Sequence, residues 1–371
     1  MTPARWVPLD GSPAAIESFT RALEGALNGG TPVLPATTDS GPLGDAGGAA
    51  LVIATSGSTG RPRHVLLSAA ALRASAQATA ARLGGPGRWL LALPAEHVAG
   101  AQVIVRSLLA GHPPAVLDLR PGFRPDAFAA AVAQLPAGRR YTSLVPTQLA
   151  RILDDGGAGL DALRSFDAVL IGGAALPAPL RAQAGAAGVR VVTTYGMSET
   201  AGGCVYDGTP LDGVTVELEG GRIVLGGPTL ADGYLGLPEE TATVFRDGRF
   251  RTSDLGRMVD GRLEVLGRLD DVIVTGGEKV APAAVEAVLT AQPGIRAACV
   301  VGVPDAEWGQ VVAAALVVAP GADPAAAVAA VQASLGRAGV PRRVRTVAGI
   351  PQRGIGKPDR AAVAALFHPS R

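Results

Sequence analysis

Four short segments combine residue types that can act together on a phosphorylated ligand. Thr55-Ser56-Gly57-Ser58-Thr59-Gly60-Arg61-Pro62-Arg63 is rich in hydroxyls and glycine and closes on cations. Small residues let backbone N–H groups approach phosphate oxygens, hydroxyls add donors, and Arg63 supplies charge. It is not a Walker A loop, because the GK[ST] ending is missing. Tyr195-Gly196-Met197-Ser198-Glu199-Thr200 offers a carboxylate that could hold Mg²⁺ on a triphosphate and a hydroxyl that could contact a phosphate. Taken alone, it also reads as a strand-to-helix turn. In Arg251-Thr252-Ser253-Asp254-Leu255-Gly256, Asp254 could accept both hydroxyls of a ribose, although Asp and Gly are equally usual in a turn between strands. Pro351-Gln352-Arg353-Gly354-Ile355-Gly356-Lys357 ends a glycine loop on a lysine, which such a loop leaves free to enter a site in another domain.

The elements that must position these segments alternate in type. Residues 49–56, AALVIATS, read as a buried strand that runs into the first motif, and residues 67–83 have helical composition. Apolar strand-like runs then recur at 89–94, 114–119, 141–146, 167–173 and 189–196, separated by Ala-rich helical stretches. That alternation predicts a parallel α/β sheet, in which ligand loops sit at the strand C-termini. From about residue 205 short strands with Gly and Asp turns predict a small β-rich subdomain. From Asp270 a helix at about 282–289, the runs ACVVGVPD and VVAAALVV, and an Ala-rich helix around 323–337 predict a compact α+β domain. The expected organisation is an α/β fold: a large N-terminal α/β domain over 1–269, with its β-rich subdomain at about 205–269, and a smaller, mobile α+β domain over 270–371.

Composition narrows the class. At 371 residues there is room for two or three cores, and with 48% apolar residues but only 4% aromatics, Ala, Val and Leu must do most of the packing. A net charge of +1 gives no electrostatic reason to expect nucleic acid or an acidic membrane as partner. Cys204 and Cys299 lack metal spacing and read as buried fillers. The first ten residues carry no apolar signal region and the run Val311 to Pro320 is too short to span a bilayer, so a cytoplasmic protein is the expectation.

Together and in this order, the four motifs resemble the adenylate-forming superfamily of acyl-CoA synthetases, peptide-synthetase adenylation domains and luciferases, over about residues 50–360. The resemblance implies ATP, Mg²⁺ and coenzyme A as cofactor and co-substrates, and a homodimer as a possible assembly. It implies that Gly172, Gly173 and Ala174 line the adenine, that Tyr195 stacks on it beside Gly196, and that Thr200 touches the α-phosphate. Glu199 would carry Mg²⁺, Asp254 and Arg268 the ribose. Asp270 matches the family's hinge and Lys357 its catalytic lysine. Gly276, Gly277, Glu278 and Lys279 match the segment facing the pantetheine tunnel. Two departures stand out: Arg63 replaces the lysine that usually ends the phosphate loop, and that loop begins earlier in the chain than in most relatives.

Within the superfamily, Pro94-Ala95-Glu96-His97-Val98-Ala99-Gly100, Ser143-Leu144-Val145-Pro146-Thr147-Gln148-Leu149 and Arg106 resemble the o-succinylbenzoate–CoA ligases of menaquinone biosynthesis. That resemblance implies that His97, Ser143, Met197 and Ser198 border the acid and that Arg106 meets its second carboxylate. The alternatives are activation of another acid, loading of a carrier protein, and a non-catalytic AMP-binding protein. Activators of amino acids place an Asp early in the pocket segment, where this chain has Glu96. A non-catalytic relative should have lost Glu199 or Lys357, and both are present.

Overall fold

The computed structural model describes residues 2–39, 41, 43–56, 62–353 and 357–367. By contact density the chain divides into two compact units. One comprises residues 1–172, 184–217 and 224–252, the other residues 173–183, 218–223 and 253–371.

The first unit contains two sheets. β1 (Arg5–Pro8), β2 (Val33–Ala36), β3 (Ala49–Ser56) and β4 (Pro62–Ser68) lie side by side, with β14 (Gly233–Tyr234) on the β4 edge. β5 (Arg88–Leu91), β6 (Ala115–Val116), β7 (Arg140–Leu144), β8 (Ala168–Ile171), β9 (Val191–Met197), β10 (Gly202–Tyr206) and β11 (Thr209–Pro210) form a seven-stranded sheet in the order β11-β10-β9-β8-β7-β5-β6. β5 to β9 are parallel, as the alternation predicts, and β10 turns back antiparallel to β9.

The expected strand at 49–56 is present but belongs to the other, mixed sheet. Its partner β4 is a strand the sequence pattern did not reveal. Val65 and Leu67 are fully buried on one face while Leu66 packs against Leu34, Ala46 and Val52 on the other, and β4 pairs antiparallel with β3, Thr55 opposite Arg63. The first motif therefore takes in the end of β3 and the start of β4, and the helix expected from residue 67 starts at Ala69.

The helices of the first unit are α1 (Pro13–Leu27), α2 (Ala69–Leu83), α3 (Val98–Leu109), α4 (Pro125–Val132), α5 (Pro146–Asp155), α6 (Gly157–Arg164) and α8 (Pro238–Val244), while α7 (Ala178–Ala186) begins in the stretch that groups with the second unit. Local chemistry sets several of their starts. Ser12 and Ser68 accept hydrogen bonds from Ala15 N and Ala71 N at 3.2 and 3.1 Å, and α1, α4 and α5 each carry Pro in the first turn, where its missing N–H costs nothing.

The β-rich texture after residue 205 is a sheet of β12 (Thr215–Glu219), β13 (Arg222–Gly226), β15 (Phe245–Arg246), β16 (Arg249–Val259) and β17 (Arg262–Arg268). β16 and β17 pair with Asp254 opposite Arg268, and by contact density the residues from Ser253, within β16, group with the second unit.

The second unit's main sheet is β18 (Ile273–Thr275), β19 (Glu278–Val280), β20 (Ile295–Asp305), β21 (Gly309–Val318) and β22 (Arg343–Thr346), ordered β19-β18-β21-β20 with β22 on β21. Alternation along β20 and β21 splits the core. Val300, Val312, Ala314 and Leu316 pack with α9 (Pro282–Thr290) and α10 (Pro324–Leu335) through Val285, Leu289 and Val331. Cys299, Val301, Val311 and Ala315 pack on the opposite face with α11 (Arg360–Ala365) through Val363. A strand buried on both faces reads as a continuous apolar run, which is why VVAAALVV carries no polar residue. Each fully buried Val or Leu there contributes about 1.5–3 kcal/mol of transfer free energy. β23 (Gln352–Arg353) and β24 (Lys357–Pro358) pair as a short antiparallel ribbon.

No helix among the described residues is long and apolar enough to cross a membrane.

Candidate active site

In the first unit the site is built at the C-terminal end of β9, the second strand in from the β11 edge of the seven-stranded sheet. There the chain passes through a single 3-10 turn, Ser198–Thr200, and reverses into β10. The reversal brings Gly196 opposite Gly203 so closely that a Cβ at 196 would collide with the Gly202 carbonyl, so this position of the motif admits only glycine.

Ala201 completes the turn with φ at +49°, a left-handed conformation that costs a non-glycine residue on the order of 1–3 kcal/mol. Two buried side chains hold it there. Ser75 Oγ and Gln102 Nε2 donate to the Ala201 carbonyl at 2.9 and 2.8 Å. Neither residue was singled out in the sequence, because each lies about a hundred positions from the turn it supports.

The turn sets the direction of Glu199. Tyr234, on β14, donates its phenol to Glu199 Oε1 at 2.9 Å, while the Glu199 carbonyl accepts from Ala231 N at 2.9 Å. Glu199 Oε2 bonds none of the described residues. Tyr234 is 6% exposed, and burial, followed by the charge of Glu199, pushes its phenol far up, so it donates throughout the working pH range. The Arg63 guanidinium lies over the Tyr234 ring, 5.4 Å from its centroid, and its Nε pairs with Glu240 Oε2 at 2.7 Å. Glu240, Arg63, Tyr234 and Glu199 thus form one chain of contacts from α8 through the start of β4 to the turn. A single carboxylate held on one oxygen and open on the other suits Mg²⁺, which binds mainly through phosphates and water with one or two protein carboxylates. Among the described residues no cluster of three or more ligating side chains exists that would hold a metal by itself.

Thr200 has a local structural task of its own. It is fully buried, its Oγ1 accepts from Met197 N at 2.9 Å, and its hydroxyl lies 2.8 Å from the Gly202 carbonyl and 3.1 Å from that of Met197. It braces the turn, and contact with a phosphate would require it to release one of those partners. Tyr195, Gly196, Met197 and Ser198 are half-buried along the same stretch. Thr55 donates to the Arg63 carbonyl across the hairpin at 3.3 Å, and Ser56 is the last residue of β3. Gly57, Ser58, Thr59 and Gly60 lie outside the described residues.

His97 is the exposed N-cap residue of α3, and Ser143 is buried on β7. Arg106 sits at the other end of α3. It is 7% exposed, its guanidinium stacks on Trp89 at 5.0 Å from the ring centroid, and its Nη2 donates to the Tyr206 phenol at 3.3 Å, which in turn lies 2.9 Å from Thr79 Oγ1. Its buried Nε has no partner, and no carboxylate among the described residues pairs with it. Burial pulls its pKa down, with a small opposing effect from Tyr206. A separate apolar cavity, lined by Leu9, Ile16, Leu91, Leu93, Leu117 and Leu119, opens beside Pro94–Glu96 and includes neither the β9 turn nor Ser143.

Gly172 directly follows the parallel strand β8 in the first unit, and Gly173 and Ala174 begin the piece of chain that groups with the second. In the second unit Asp254 and Arg268 face each other across β16 and β17, with Nη1 and Oδ1 3.6 Å apart, and Arg268 Nη2 meets Asp270 Oδ2 at 2.8 Å. Burial pulls the Arg268 guanidinium down, but the Asp270 hydrogen bond and the charges of Asp254 and Asp270 outweigh it, leaving the pKa raised. Asp270 lies in a 3-10 turn, Leu269–Asp271. Gly276 and Gly277 form the two-residue connection of the β18–β19 hairpin with φ of +56° and +84°, the signature of a turn that favours glycine at both places. A Cβ on Gly276 would also lie 2.5 Å from the Trp308 ring. Glu278 and Lys279 are exposed beyond that turn, and Lys357 is exposed at the start of β24.

Residues 32–235 match the family model described as AMP-binding enzyme, and residues 284–357 the one described as AMP-binding enzyme C-terminal domain. A protein of Mycobacterium tuberculosis (strain ATCC 25618 / H37Rv) named "Probable 2-succinylbenzoate--CoA ligase" is 50% identical over 325 residues, which cover 86% of this chain and 84% of that one. The amide bond synthetase McbA from Marinactinospora thermotolerans superposes with a TM-score of 0.78 at 31% identity, covering 91% of this chain and 75% of its own. The o-succinylbenzoate CoA synthetase from Bacillus subtilis, in complex with its acyl-adenylate intermediate, shares the fold with a TM-score of 0.75 at 24% identity, covering 93% and 80%.

Proposed function

The chain belongs to the AMP-binding enzyme family, and on that premise we propose that it joins a carboxylic acid to coenzyme A through an acyl-adenylate, with o-succinylbenzoate as the acid. The observation that carries the reading is the braced turn after β9: it presents one open carboxylate oxygen, Glu199 Oε2, at the strand end where α/β sheets take their ligands. The identity of the acid rests on the relative that is 50% identical to this chain and on Arg106.

A carboxylate resists nucleophiles, so the acid must first be activated. Its oxygen attacks the α-phosphorus of ATP, the bond to the β-phosphate oxygen breaks, and pyrophosphate leaves. Tyr195 would stack on the adenine, Asp254 and Arg268 would hold the ribose, and Arg63 would supply charge near the phosphates. Mg²⁺, held by Glu199 and the phosphates, would neutralise charge on the triphosphate. Lys357 would stabilise negative charge growing at the α-phosphate, an electrostatic contribution of about 2–4 kcal/mol. In the second half-reaction the CoA sulfur attacks the acyl carbonyl, the bond to AMP breaks, and the thiol proton passes to solvent. Asp270 serves as the pivot that withdraws Lys357 and brings Gly276–Lys279 to the thiol.

The second carboxylate of the substrate supplies what Arg106 lacks. A buried guanidinium with only a phenol and a ring for company is costly, and an anion is the group that would satisfy it.

The test is a panel of carboxylic acids with ATP, Mg²⁺ and CoA, scored for AMP release and for thioester mass. o-Succinylbenzoate should turn over fastest. Faster turnover with benzoate or a fatty acid would remove this substrate, and product formed only when an amine replaces CoA would move the acceptor from thiol to nitrogen.

A further inference from the structure

Arg360 stands three residues after Lys357, at the first position of α11, whose start is capped by Asp359 accepting from Ala362 N at 3.0 Å. Its guanidinium is shared among three other elements of the second unit. Nε meets Asp271 Oδ2 at 2.9 Å, in the turn that also holds Asp270. Nη1 and Nη2 meet the two carboxylate oxygens of Glu286 on α9 at 2.7 and 3.3 Å. Nη1 donates to the Val300 carbonyl on β20 at 2.6 Å, and Val300 N donates back to Glu286 Oε1 at 2.8 Å.

Two carboxylates and a carbonyl around one planar fork fix its position and its direction together, which a lysine with a single ammonium could not do. Burial pulls the guanidinium down, but the hydrogen bond and charge of Glu286 outweigh it, so the pKa is raised and the fork stays charged. This is more than α11 needs to pack. Val363 already fastens the helix to the sheet. What the fork adds is a rigid link from the Lys357 segment to the residue next to Asp270.

We propose that Arg360 is a positioning residue for Lys357: it locks the segment that carries the lysine to the Leu269–Asp271 turn, to α9 and to β20, so that lysine and pivot move as one body. The inference rests on the reading of Lys357 as the lysine of the adenylation step. It makes the reach of Lys357 depend on a fork three residues away, and it leaves the Gly276–Lys279 hairpin, on the far edge of the sheet, independent of that fork.

The test uses the full chain as wild type, Arg360→Gln, Lys357→Ala and the double variant. Acyl-adenylate formation in a single turnover should slow roughly 10–100-fold in Arg360→Gln, the scale of a lost charge-assisted network. Thioester formation from preformed acyl-adenylate and CoA should stay within about threefold. In the Lys357→Ala background, Arg360→Gln should slow adenylation by no more than about threefold further, because a residue acting through the lysine has nothing left to position.

Deuterium uptake over residues 357–366 of the free protein should rise in Arg360→Gln, a readout that needs no substrate. Equal slowing of Arg360→Gln with and without Lys357, or equal losses in both half-reactions, would reduce Arg360 to a structural support and overturn the proposal. Unchanged exchange and unchanged rates would overturn it as well. Should Arg360→Gln fail to fold, Asp271→Asn, which weakens one contact of the fork, must show the same selective loss on a smaller scale. If the wild type forms no acyl-adenylate with any acid, the proposed function falls, while the exchange measurement still decides whether the fork holds the segment.

Discussion

Replacing Tyr234 by Phe removes one oxygen atom and keeps almost everything else. The ring remains to pack edge-on against Phe245 at 5.8 Å between centroids, and Arg63 keeps an aromatic face beneath it. What goes is the 2.9 Å hydrogen bond to Glu199 Oε1. A hydrogen bond to a charged acceptor contributes about 1.5–3 kcal/mol when the partner is left buried. Glu199 is half-buried, so water recovers part of that, and about 1–2 kcal/mol is the expected loss, or roughly 5–30-fold in an equilibrium constant.

The loss falls on the orientation of the carboxylate, so it should appear in the metal requirement. The Mg²⁺ concentration that half-saturates adenylate formation should rise about 5–30-fold, while the rate at saturating Mg²⁺ falls far less. The assay is pyrophosphate release at fixed ATP against free Mg²⁺, run beside a thermal melt of both proteins. An unchanged Mg²⁺ requirement would refute the reasoning, either because Glu199 does not handle the metal or because its orientation is set elsewhere. A fall in rate that Mg²⁺ cannot recover, together with a lower Tm, would make Tyr234 a packing residue only.

Lys357→Ala should cut adenylate formation by about 10²–10³-fold and leave thioester formation from preformed acyl-adenylate near the wild-type rate, measured separately in single turnovers. Arg106→Met should act in opposite directions on stability and function. Removing a buried, unpaired charge without leaving a large void should hold or raise Tm, whereas the KM for a dicarboxylic acid should rise about 10–100-fold, and an unchanged KM would make Arg106 a structural cation only. Burial pushes the thiols of Cys204 and Cys299 up to about 12. Both should therefore resist iodoacetamide at pH 8 in the folded protein and react only in denaturant, and native labelling at either would contradict their burial.

Local chemistry determined much of this protein. The alternation of apolar runs and Ala-rich stretches predicts the parallel strands β5 to β9, because a strand buried on both faces needs a continuous apolar run whatever surrounds it. The order of the four motifs pointed to the family for a similar reason. Gly196 and the pair Gly276–Gly277 stand where the backbone itself demands glycine, and such demands are met within a few residues. The sequence marked the strand that leads into the first motif, but not the strand that follows it. Pro62–Ser68 has too weak an alternation to mark β4 without β3 beside it, and the pairing decides.

The tertiary structure alone decided what holds the reactive groups in place. Tyr234 lies 35 residues from Glu199, Ser75 and Gln102 lie 126 and 99 residues from Ala201, and Arg360 lies 74 residues from Glu286. Hydrogen bonds of this kind leave no periodicity and no fixed spacing, so each residue looks ordinary in the chain. The same holds for Arg106, whose charge was visible but whose seat between Trp89 and Tyr206 was not. Residue types and their order can specify which chemistry is available, since that depends on functional groups. Which oxygen of Glu199 is tied and which is open depends on directions in space, and those exist only once distant strands have paired.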